Sequence, residues 1–156
     1  MVNNQIKNMV EIKKNSLRQS TIAFLALYFF FEGLTYLRDG QRRVQFDLKI
    51  YNTEAYLYNK GLLLVHFSNF VQYLSPLIIP IYGLIVLLTS IGFVFFEDMK
   101  KRVIFIQILI LMQLLDAFIV HNPIIENYEM RSTECKYFML DFLIIFTLVM
   151  IAGFRD

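Results

Sequence analysis

Hydrophobic positions along this chain come in long blocks rather than at the alternating spacing of a half-buried strand. From Leu74 to Phe96 no side chain carries a charge, and Val103 to Val120 holds only Asp116. Thr21 to Leu37 holds only Glu32, and Tyr137 to Phe154 only Asp141. Runs of about 17–23 residues, at 1.5 Å per residue, match or nearly match a ~30 Å hydrocarbon core. Backbone polar groups in lipid must be satisfied within the segment, so these runs read as helices. Glu97-Asp98-Met99-Lys100-Lys101-Arg102 is too polar for lipid and too short for anything but an antiparallel hairpin. The pattern predicts an all-α, integral membrane four-helix bundle, one domain with spans at about 17–37, 74–96, 103–121 and 137–154.

The polar intervals add interfacial amphipathic helices. In residues 1–16, Ile6, Met9, Val10 and Leu17 fall at near-helical spacing among lysines, which fits a surface helix or a solvated lead-in. Charge and Gly40 end the first span after Leu37. Residues 44–73 suit one or two interfacial helices, with Tyr51, Tyr56 and Tyr58 as an aromatic belt. Leu62 to Val65 is too short to span, and Gly61 leaves a re-entrant segment as the alternative. Pro76 falls near the first turn of the second span, Pro80 is placed to kink it, and Gly92 would admit a neighbouring helix closely.

Composition agrees. The 156 residues are 57% hydrophobic and 18% charged, which excludes a disordered chain and argues against an ordinary soluble domain. A net charge of +2 without a basic aromatic patch gives no footprint for nucleic acid. Cys135 is the only cysteine, so no internal disulfide holds the fold. Apolar residues begin only after Lys7, Glu11, Lys13 and Lys14, unlike a secretory signal. Four spans put both termini on one side, with the basic hairpin turn, and the charge near span ends favours the matrix or cytosol for that side.

Glu32 lies about five residues from the end of span one, Asp116 a similar distance from the end of span three, and Asp141 about four residues into span four. Alternating helix direction brings all three to one level, roughly 6–8 Å inside the helix ends. Carboxylates at that depth need pairing, protonation or water, and His121, Arg38, Arg131 and Lys136 are the candidate partners. The layer of Glu32, Asp116, Asp141 and His121 reads either as a polar pocket for a head group or protons, or as paired acids that dock helices. His66 and His121 are the only histidines and lack a cysteine cluster, which gives no metal or haem pattern. No nucleophile grouping, phosphate loop or dinucleotide fingerprint is present, so neither enzyme chemistry nor a cofactor is expected. Lys100, Lys101 and Arg102 would meet lipid head groups, such as those of cardiolipin, or simply anchor the hairpin.

Phe31-Glu32-Gly33-Leu34 ending span one, Pro80 and Gly83 early in span two, Ile91-Gly92-Phe93, Lys101-Arg102 at the turn and His121 after span three together carry a resemblance. In this order of parts the chain resembles the DoxX-like family of four-span membrane proteins, to which early secretory cargo receptors are related. Where such families place an acid early in span two, this chain is apolar around Tyr82. The resemblance implies a compact four-helix unit working inside a larger membrane assembly. The expectation is an accessory, non-catalytic subunit of an energy-converting respiratory complex in the mitochondrial inner membrane, partnered by other subunits and phospholipids. The alternatives are a quinone-associated oxidoreductase membrane subunit and a secretory-pathway cargo or lipid carrier.

Overall fold

The computed structural model is helical throughout its regular structure and describes residues 2–63, 66–96, 99–123 and 128–153. The order is α1 Val2–Arg38, α2 Gly40–Asn59, α3 Ser68–Phe95, α4 Met99–Ile119 and α5 Tyr128–Gly153. Stretches of α1, α3, α4 and α5 are long and apolar enough to cross a membrane, and α2 is the additional amphipathic helix. Each apolar run matches one helix, with Phe96 and Val120 just past the ends of α3 and α4 and Phe154 outside the described residues, and every helix begins earlier than its apolar run. Glu97, Asp98, Leu64, Val65, Arg155 and Asp156 lie outside the described residues, as do the side chains of Ile6, Met9, Val10, Lys100 and Arg131.

α1 is a single 37-residue helix. The polar lead-in is continuous with the span instead of forming a separate surface helix, because no glycine or proline interrupts the chain before Gly33. At 1.5 Å per residue it is about 55 Å long, well beyond the ~30 Å hydrocarbon core. Asp39 ends α1 and caps α2, its carboxylate accepting from the Gln41 N–H at 2.9 Å. α2 ends on Gly61, whose φ of 68° is open to glycine at little cost. The Leu62 N–H returns to the Leu57 carbonyl and the Gly61 N–H to that of Tyr58, a Schellman closure of α2.

One buried acid joins α2 to α3. Phe67 precedes α3 and offers it no side-chain cap. Glu54, only 4% exposed, takes that role: its carboxylate accepts from the N–H groups of Phe67 at 2.6 Å and of Ser68, and contacts His66 Nδ1 at 2.6 Å. Burial alone would push the Glu54 carboxyl up. The His66 contact and the Ser68 and Phe67 hydrogen bonds outweigh burial and hold it below the ordinary carboxylate range. His66 in turn stacks on Tyr58, ring centroids 4.5 Å apart.

Because α3 starts at Ser68, Pro76 is its ninth residue and not a first-turn proline, and both Pro76 and Pro80 lie inside the helix. Pro76 has no N–H for the Gln72 carbonyl. The Ser75 hydroxyl donates to that carbonyl at 3.0 Å, and Arg43 Nε of α2 donates to Ser75 Oγ at 3.3 Å.

The tightest helix contact joins α1 and α3, where Gly33 and Gly83 face each other. A methyl group on Gly33 would stand 2.8 Å from the Gly83 oxygen and from the Leu87 nitrogen, so bare backbone is what lets the helices meet. Gly92 is filled by the Phe105 ring of α4, which also stacks on Phe96 with centroids 5.2 Å apart. The common core comprises Ile22, Leu25 and Phe29 of α1, Val86 and Phe93 of α3, Ile106 and Leu109 of α4, and Ile144 and Leu148 of α5. The outward faces remain apolar, and α5 is the most open, with 17% of its apolar window buried against 39% in α3.

Candidate functional site

Asp116 of α4 and Asp141 of α5 are each 3% exposed, and Glu32 of α1 is half-buried. Tyr36, one turn past Glu32, reaches Asp116, and Gln113, one turn before Asp116, reaches Asp141, so the chain brings the predicted acids to one level. Among the described residues their hydrogen bonds come from neutral groups and not from His121, Arg38 or Lys136, while the Arg131 side chain lies outside the described residues. The Tyr36 hydroxyl of α1 donates to Asp116 Oδ1, bridging α1 to α4. Gln113 Nε2 of α4 donates to Asp141 Oδ1 at 2.8 Å, bridging α4 to α5. The Tyr28 hydroxyl donates to Glu32 Oε1 at 3.4 Å, within α1. The second Asp141 oxygen, Oδ2, is buried without a hydrogen-bond partner among the described residues.

Tyr82 of α3 completes the layer. Its hydroxyl donates to the Met112 carbonyl at 3.0 Å, and its ring meets Tyr36 edge-on at 4.8 Å. Arg42 of α2 lies over the Tyr36 ring, 5.4 Å from the centroid. Beside these tyrosines and Asp116 is a cavity of about 110 Å³, walled otherwise by apolar side chains that include Phe46 of α2, Ile79 of α3 and Leu115 of α4.

His121 sits just outside the layer. Its N–H and that of Val120 both donate to the Asp116 carbonyl, which closes α4. Its ring Nδ1 faces Glu134 of α5 at 3.3 Å, and Lys49 of α2 meets the other Glu134 oxygen at 3.0 Å. This trio ties the middle of α2 to the end of α4 and the second turn of α5. Arg38 and Lys136 are exposed, and His66 lies apart with Glu54. Among the described residues, no group of three or more His, Cys, Asp or Glu side chains is placed to hold a metal ion.

At the opposite end of the bundle, Arg102 Nε donates to the Phe96 carbonyl at 3.0 Å and Lys101 reaches over the Phe96 ring, its Nζ 5.9 Å from the centroid. Both residues therefore secure the hairpin, and Arg102 also lines a recess against Gln19 of α1.

Sequence reasoning missed the tyrosines because hydrophobic blocks absorb them. A signal was present: Tyr28, Glu32 and Tyr36 are spaced four apart and share one helix face. Gln113, three residues before Asp116, is a second such signal. Glu54, Glu134 and Lys49 gave none, since their partners come from distant segments.

A scan against protein-family models finds no matching family, and searches of curated proteins and of solved structures find no similar chain.

Proposed function

We propose that this chain is an accessory, non-catalytic subunit of a multi-subunit energy-converting membrane complex, resembling DoxX-like four-span units, with the mitochondrial inner membrane as its location. The observation that supports the reading is how the intramembrane acids are used. Tyr36–Asp116 joins α1 to α4 and Gln113–Asp141 joins α4 to α5, so the polar layer acts as helix-to-helix glue. The apolar outer faces, widest on α5, offer contact to neighbouring subunits and lipids, and the basic hairpin turn suits phospholipid head groups. The test is migration on a native gel after mild-detergent extraction. The subunit reading expects a band much larger than the 18.5 kDa chain. A monodisperse monomer in several mild detergents would refute it.

A second reading has one observation in its favour, the cavity beside Tyr36, Tyr82 and Asp116. An apolar chamber with a few polar groups suits the ring of a quinone, which would make the chain a quinone-associated subunit. A quinone that co-purifies stoichiometrically and is lost on Ile79→Trp would favour this reading. Its absence from the intact complex would count against it.

A further inference from the structure

We infer that the groove between α1 and α3, at the end of the bundle that carries the α3–α4 turn, binds one anionic phospholipid. The inference goes beyond the accessory role and does not depend on it.

Two hollows run together there. The first is an apolar groove of about 330 Å³ whose walls include Ala23, Leu27 and Phe30 of α1 and Ile91 and Val94 of α3. The second is a recess of about 490 Å³ lined by Gln19 and Arg102 together with Ile22. Ala23 and Val94 line both, so the hollows are continuous. Gln19 to Phe30 spans about 16 Å along α1, close to half of a ~30 Å hydrocarbon core. The groove therefore has the depth of a single leaflet, with its polar end at the membrane interface.

Charge follows the same axis. Lys13 and Arg18 of α1 and Lys101 and Arg102 of α4 occupy the polar end, against Glu11 among the described acids there. Arg102 is held in place by its bond to the Phe96 carbonyl, so its guanidinium is fixed at the recess. A fixed guanidinium beside an amide, above an apolar furrow one leaflet deep, complements a phosphate with an acyl chain below it. A spanning helix of a partner would need an apolar track through both leaflets, whereas this groove ends at Phe30.

The test uses the full chain in mild detergent, exposed to dioleoyl phosphatidylglycerol or dioleoyl phosphatidylcholine and read by native mass spectrometry. One phosphatidylglycerol is expected to be retained over phosphatidylcholine by at least fivefold. Arg102→Gln should lower phosphatidylglycerol retention about fivefold, and adding Lys101→Gln should lower it again by a similar factor. Ala23 is exposed, so Ala23→Trp fills the groove without disturbing the core and should abolish retention of both lipids. Equal retention of the two lipids, binding indifferent to Arg102, or full retention by Ala23→Trp would each overturn the inference. A photo-crosslinker in place of Ala23 in native membranes should label phospholipid, and a protein adduct in its stead would overturn it too.

Discussion

The closest approach of α1 to α3 can be tested with one methyl group. In Gly33→Ala the new Cβ would stand 2.8 Å from the Gly83 oxygen, 2.8 Å from the Leu87 nitrogen and 2.9 Å from Leu87 Cβ. Two of these neighbours are backbone atoms, which cannot swing aside. Ordinary contact begins near 3.4 Å, so the helices must part by about 0.6 Å, with lost packing along the Phe29–Val86 core. Overpacking of this kind costs about 1–3 kcal/mol. Gly83→Ala meets Tyr36 Cβ at 2.8 Å and should cost a similar amount. The double variant should cost less than the sum, because the first separation already makes room for the second methyl. Gly153→Ala is the control: nothing lies within 4 Å of its added Cβ, and its effect should stay within about 0.5 kcal/mol. The assay is the unfolding midpoint of each purified variant in mixed micelles with increasing dodecyl sulfate. Gly33→Ala unfolding together with wild type and Gly153→Ala would refute the close-packing account.

Other outcomes follow from the caps and the prolines. The Glu54 carboxyl is held below its ordinary value near 4.5, so its stabilising contribution is full above that value and fades as pH falls through the lower folded one. Proteolysis of the α2–α3 connection should rise in that acidic window and stay high at all pH in Glu54→Gln, so flat pH behaviour in wild type would count against the staple. Ser75→Ala leaves the Gln72 carbonyl without its hydroxyl donor and should cost about 0.5–1.5 kcal/mol in the micelle assay, whereas an unchanged midpoint would show that the bond is idle.

What the sequence made legible was the part written in single runs. Four apolar blocks, each with at most one acid, correspond to the four long apolar helices, because length and hydropathy alone decide whether a helix suits lipid. Glu32, Asp116 and Asp141 could be placed at one level because alternate helix direction fixes depth to within a turn. The partners were not legible by the same logic: cations were sought for the acids, yet a hydroxyl and an amide from neighbouring helices bond Asp116 and Asp141, and a hydroxyl of its own helix bonds Glu32. Helix starts also escaped. Ser68 begins α3 six residues before Leu74 because Glu54, from another helix, caps the exposed N–H groups. That interaction links positions 14 residues apart and leaves no periodic trace. Tyr36 reads as one more apolar residue until its distance to Asp116, 80 positions away, is known.

Under the proposed subunit role, the carboxyl layer joins helices and takes no part in turnover. Asp116→Asn tests it most directly, scored separately for abundance of the host complex and for activity per assembled complex. Asn keeps the shape and accepts the Tyr36 hydroxyl, so abundance and specific activity should both stay near wild type. Asp116→Leu removes the acceptor, strands the buried Tyr36 hydroxyl and should cut abundance while any complex that forms keeps full specific activity. Normal abundance of Asp116→Asn with a fall in specific activity would contradict the account and assign the layer to proton or quinone chemistry.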